Sequence, residues 1–425
     1  MSSIHRFRRA GLWRHRDFLH LWAGESISQF GNQISALAIP LIAVLTLDAS
    51  PLGVGLLAAI GQVPSLLFGL LAGAWIDRFR RKPLLIAANL GSAAALALTP
   101  IAALFGLLSL PLLCAISFLA GSLSLVFDIS YISYLPRLVG REQLVDANSK
   151  LEASASIAQV GGPGLGGLLV GLFTAPYAIL VDAISFASSA FLIGKIDSVE
   201  AEPEQFAKRP KLRTEIGDGL RFVIRDPVMR ALVGRSATDS FFSAGFFAVY
   251  ILFMSRNLGL GPTQIGLIFA LGGVGAFIGA MLAAPLLRRL KLGPAFISAN
   301  AMFGITGLLV PLAVLAPRIA LPLIAASEFL QWLFYLAGAI NGLSLRQSVT
   351  PDRMQGRVNG AYRFMSIGVK PVGSLAGGVL GGIIGLPWTL VVCEIGFLTS
   401  VGWIIFSPIR DMRTFPHENP ADAPN

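Results

Sequence analysis

The chain has 425 residues, of which 54% are apolar and only 13% are charged. That charged share is about half of what a soluble domain carries, and mean hydropathy is +0.71. There is too little charge to cover a water-soluble fold, so neither a soluble enzyme nor a disordered chain fits. The net charge of +10 raises the question of nucleic-acid binding, which the placement of the cations decides.

In chain order, a basic N-terminus carrying Arg6, Arg8, Arg9, Arg14 and Arg16 precedes the first of twelve long apolar runs. A helix needs about 20 such residues to cross a bilayer. Six spans are expected at 18–47, 51–76, 83–105, 108–134, 147–173 and 176–196. A charged stretch at 197–226 reads as a linker. Six more spans are expected at 227–255, 262–287, 294–316, 319–345, 359–384 and 386–407, followed by a polar tail at 408–425. The runs are continuous and rich in Leu, Ala and Gly, unlike the alternating ten-residue strands of an outer-membrane barrel. The long first run has no small-residue cleavage site, so no signal peptide is predicted. The expected fold is an all-α integral membrane protein of twelve transmembrane helices. They form two pseudo-symmetric six-helix bundles, 1–196 and 227–407.

Lys and Arg are distributed unevenly. Thirty of the 33 fall on connections that share a side with the N-terminus, among them Arg78, Arg80, Arg81 and Lys82 between spans 2 and 3, and nine between Lys195 and Arg235. Opposite-side loops hold Arg256 and Arg318, and Lys370 lies inside a span. By the positive-inside rule both termini and the linker are cytoplasmic. The excess charge is then a matter of topology, and no nucleic-acid partner is expected.

The two halves echo each other. Pro136–Glu142, then Ala147-Asn148, then Gly162-Pro163-Gly164-Leu165-Gly166-Gly167 have counterparts in Pro351–Arg353, Gly356-Arg357-Val358-Asn359 and Pro371–Gly378. Gly162 and Gly166 are four residues apart on one helix face, with Pro163 and Gly167 beside them. This is a pattern for close helix packing. Charges inside the spans are costly and are read as functional candidates. They are Glu25, Asp128, Asp239, Glu328 and Lys370, with Asp182 and Glu394 on outer helices read as structural or locally paired. Glu25, Gln29 and Asn32 share one helix face, as do Glu328, Gln331 and Tyr335. The four histidines lie near the termini, and no phosphate loop or nucleophile elbow is present. An enzyme, a metal site and a cofactor are therefore not expected.

The run Gly73-Ala74-Trp75-Ile76-Asp77-Arg78-Phe79-Arg80-Arg81-Lys82 resembles the helix 2–3 signature of the major facilitator superfamily, and the Gly162–Gly167 run resembles its helix 5 motif. Pro136–Asn148, Val181–Phe186 and Gly356–Asn359 are similar to the bacterial branch with macrolide-efflux and enterobactin-exporter proteins. The second-half loop Leu287–Lys291 departs from the signature in having no Asp, and Asn32 stands where related proteins often carry Asp. The resemblance implies a monomeric transporter of the inner or plasma membrane that works by alternating access. Gly73, Asp77, Arg78, Arg81 and Lys82 would form a cytoplasmic gate. Helices 1, 4, 7 and 10 would line a cavity for a small amphipathic solute, exported against protons. A metabolite importer or facilitator of the same fold is the alternative, as is a lipid flippase or a membrane protein that moves no solute.

Overall fold

The computed structural model describes residues 12–69, 76, 79–198, 212–351 and 354–416. The described residues form helices throughout. Twelve of these helical stretches are long and apolar enough to cross a membrane: Arg16–Thr46, Pro51–Phe68, Arg81–Leu104, Leu110–Val139, Leu144–Phe173, Ala175–Gly194, Pro227–Arg256, Pro262–Leu290, Leu292–Leu312, Pro317–Val349, Gln355–Ile383 and Leu386–Ile405. They are called spans 1 to 12. Large apolar side chains such as Leu104, Phe277 and Ile383 are exposed on their outer surfaces, which a lipid environment accommodates and water does not.

Boundaries differ from the sequence reading where a polar residue continues a helix. Span 4 runs through Pro136 and Arg137 to Val139, where the sequence suggests a turn from Pro136 onward. A proline near the end of a helix removes only one backbone bond, and the stop comes at Gly140, whose φ of 77° is left-handed. Pro163 lies inside span 5 without interrupting it. Span 11 does break. One helix ends at Ile367 and a second begins at Lys370, with Pro371 in its first turn.

Contacts divide the molecule into two compact units. The first holds spans 1, 3, 4, 5 and 6, the later part of span 2, and Pro262–Gly266 at the start of span 8. Its core includes Phe18, Leu21, Leu85, Phe127, Tyr134 and Ile193. Asp17 accepts hydrogen bonds from the backbone N–H groups of Asp197 (3.0 Å) and Ser198 (3.1 Å), which ties the start of span 1 to the chain leaving span 6. The second unit holds Ala49–Ala59, which includes the start of span 2, the linker helix Leu212–Arg225, spans 7 and 9 to 12, and the rest of span 8. Met229, Leu232, Phe296, Leu345, Val358 and Ile404 lie in one of its cores.

Among the described residues, both units contain helix crossings where backbone meets backbone at a glycine. In the first, a Cβ on Gly167 would stand 2.8 Å from the Cα of Gly266, and one on Gly266 would stand 2.5 Å from the Pro163 carbonyl oxygen. In the second, Gly55 and Gly378 approach in the same way. A leucine at 167 would meet backbone, which cannot rotate aside. We expect Gly167→Leu to cost about 1–3 kcal/mol, read as a lower melting temperature in detergent. Gly382→Ala, where an added Cβ meets nothing within 4 Å, is the matched control and should melt like the parent.

Candidate functional site

The polar residues inside the second unit form two linked groups. In span 7, Arg235 and Asp239 are one turn apart and both buried, with Nη2 and Oδ2 3.3 Å apart. Spacing of i, i+4 brings the two heads together on one face. Lys370, where span 11 resumes after its break, and Tyr335 of span 10 lie within electrostatic reach of Asp239. A buried ion pair of this kind offsets a desolvation penalty that neither charge could bear alone. Arg235 is a correction to the sequence reading, which counts it among the cations flanking the linker. Two turns of helix separate it from Pro227, and it is 6% exposed.

The second group centres on Glu328 of span 10. Its Oε2 accepts from the Tyr250 hydroxyl of span 7 at 2.9 Å, and its Oε1 accepts from the Trp332 indole N–H at 2.8 Å. Gln331 donates to Ser327 Oγ (3.0 Å), which donates to the Thr306 carbonyl of span 9 (2.7 Å). Rings pack around these groups. Tyr335 contacts Trp332 and Phe303, and Phe303 lies 4.1 Å from Phe397, centroid to centroid.

Glu394 of span 12 belongs with them, although the sequence reading sets it aside on an outer helix. It is 3% exposed, and its Oε2 has no hydrogen-bond partner among the described residues. Its carboxyl rests against Gly307 of span 9, where any added Cβ would collide with it. A small cavity beside it is lined by Phe242, Phe246, Phe303, Gln331, Cys393 and Phe397, among others. The signal available in sequence was the bare charge within an apolar run. The glycine that makes room for it stands 87 positions away.

In the first unit, Gln29 donates to Glu25 Oε1 at 2.7 Å. Asp128 and Tyr131 of span 4 lie within electrostatic reach of Glu25. Asn32 is exposed and outside this group, so the three-residue face of span 1 is brought together only at its first two members. Asp182 is fully buried and accepts from Ser185 at 3.0 Å. Gly162 packs against Gln33 of span 1, and Gly166 lies beside Ile34.

Of the residues expected to form a cytoplasmic gate, Gly73, Asp77 and Arg78 lie outside the described residues. Arg81 is buried and donates to the Phe79 carbonyl (3.0 Å). Lys82 donates to the carbonyls of Gly194 (3.1 Å) and Ile196 (2.6 Å). An ammonium at that place satisfies the open carbonyls at the end of span 6 and complements its dipole. Among the described residues, no group of three or more His, Cys, Asp or Glu is placed to hold a metal.

Comparison with known proteins agrees with this architecture. The profile of the family described as transmembrane secretion effector, within the major facilitator superfamily, matches residues 10–423. The multidrug efflux pump Tap of Mycolicibacterium fortuitum is 27% identical over 388 residues, covering 89% of this chain and 92% of that one. The enterobactin exporter EntS of Citrobacter koseri is 25% identical over 299 residues, covering 68% and 67%. The fold is shared with a bacterial homologue of the iron transporter ferroportin, at a TM-score of 0.75 and 19% identity over 92% of this chain and 98% of that one. With its twelve spans and a profile match along nearly its whole length, the chain is a multi-pass membrane transporter, not an enzyme, and belongs to the transmembrane secretion effector family of the major facilitator superfamily.

Proposed function

We propose that this transporter exports an amphipathic organic compound in exchange for protons. The observation that carries the reading is Glu328, a buried carboxyl held by one phenol and one indole and surrounded by aromatic rings. Aromatic walls with a few fixed polar groups suit an apolar guest with a polar or cationic handle. A carboxyl that exchanges a proton in a dry site links solute occupancy to the proton gradient, because the charged form is costly there unless partnered. Glu25, with Gln29 and Asp128 nearby, is the corresponding candidate in the first unit, and Asp239 is held by Arg235. The names of Tap and EntS support export rather than uptake. Two six-helix bundles at 1–196 and 227–407, with both termini cytoplasmic, are part of this proposal.

Everted membrane vesicles carrying the protein test the reading. On energisation, a panel of amphipathic compounds should include at least one that accumulates inside and dissipates the pH gradient as it does so. A protonophore should abolish that accumulation. Uptake into whole cells that ignores a protonophore would instead identify a facilitator.

A further inference from the structure

The linker helix Leu212–Arg225 lies against the start of span 11 and borders a cavity of about 530 Å³. Asp218, Arg221, Phe222 and Arg225 of the linker helix line it, together with Met354 and Arg357. Positions 218, 221, 222 and 225 recur at helical spacing, so one stripe of the helix faces the cavity. The stripe is held in place. Gly219 sits against the Arg357 carbonyl, and Val223 is fully buried in the core that contains Val358 and Ala361.

The described lining of the cavity is rich in cations. Arg357 pairs with Asp218 at 3.4 Å. Among the described lining residues, one carboxylate stands against three guanidiniums. Among the described residues, Arg221 and Arg225 make no ion pair or side-chain hydrogen bond. They are four residues apart on the helix, a spacing at which like charges repel. Nothing in the packing requires that repulsion, and an anion between them would relieve it. Guanidiniums bind phosphate oxygens through paired N–H groups.

The position narrows the anion. Asp226 caps span 7 immediately after the linker helix, accepting from the Met229 N–H at 2.8 Å. The cavity therefore adjoins the point where a membrane span begins. Phe222 and Met354 supply a half-buried apolar floor, which a free phosphate cannot use. Ile224, beside the stripe, is exposed. Basic pockets at helix ends near the membrane surface suit lipid headgroups. We infer that the cavity between the linker helix and span 11 binds the phosphodiester headgroup of an anionic glycerophospholipid through Arg221, Arg225 and Arg357. The shared chemistry is a phosphoryl oxyanion. The apolar floor favours the lipid as its source.

The test uses full-length protein in neutral detergent, with lipid retention followed by native mass spectrometry. Phosphatidylglycerol should be retained, and R221Q/R225Q should hold it roughly tenfold or more weakly for the loss of two attractions. Phosphatidylcholine, which has no net charge, should bind both proteins alike. R221K/R225K should recover much of the affinity. Equal retention of phosphatidylglycerol by the parent and R221Q/R225Q overturns the proposal. Inorganic phosphate that displaces the lipid at equal concentration would assign the site to free phosphate and end the lipid assignment. If R221Q/R225Q does not fold, the salt dependence of the parent decides. Retention should fall steeply as ionic strength rises, and retention indifferent to salt overturns the proposal.

Discussion

Asp239→Ala is expected to cost about 3–5 kcal/mol of stability, the range for removing one partner of a buried ion pair. The variant leaves Arg235 buried with no carboxylate at 3.3 Å, and Lys370 then faces a second cation rather than a balanced pair. Thermal unfolding in detergent measures the loss. Arg235→Met combined with Asp239→Leu should restore at least half of it, because two apolar groups of similar volume need no charge partner. The cycle of single and double variants isolates the coupling between the two residues. If Asp239→Ala melts like the parent, the pair contributes nothing to the fold and the burial described for it is wrong.

The second large effect is on transport. Glu328→Ala removes the acceptor of both the Tyr250 hydroxyl and the Trp332 indole, and each orphaned donor costs about 1–3 kcal/mol. Glu328→Gln is the more informative change because it keeps the volume and one acceptor oxygen but cannot release a proton. The coupling between two ligands of one protein is commonly 1–3 kcal/mol, roughly a 5–150-fold change in affinity. We expect Glu328→Gln to lose a pH dependence of solute affinity of about that size while still exchanging solute across the membrane. Solute exchange and proton flux, measured in the same proteoliposomes, separate these outcomes. Undiminished proton-coupled accumulation by Glu328→Gln would move the coupling to Glu25 or Asp239.

The fold was legible because lipid imposes a one-dimensional code. A run of apolar residues long enough to cross the bilayer is visible without knowledge of its neighbours, and among the described residues each of the twelve runs holds a helix long enough to cross a membrane. Span ends were less legible, since a polar residue such as Arg137 continues a helix as readily as it leaves one. The same ambiguity hid Arg235. A cation two turns into a span looks like loop charge until the i, i+4 relation with Asp239 is given weight. The stripe of Glu328 and Gln331 could be read from helical spacing. Its contact with Tyr250 of span 7 could not, because that depends on how two helices pack. Glu394 is hard to place from sequence for a related reason. Its place in the interior depends on Gly307, and a single sequence does not say which glycine faces which acid.

The crossing at Gly167 and Gly266 has a mechanical consequence. Helices that pack by ridges and grooves hold each other in register, and turning one past the other means lifting side chains out of their slots. Here the two backbones touch with no side chain between them. At its edge the Thr263 hydroxyl donates to the Gly167 carbonyl at 3.4 Å. Main-chain geometry alone therefore sets the separation at that point, and no rotamer change can take up slack there.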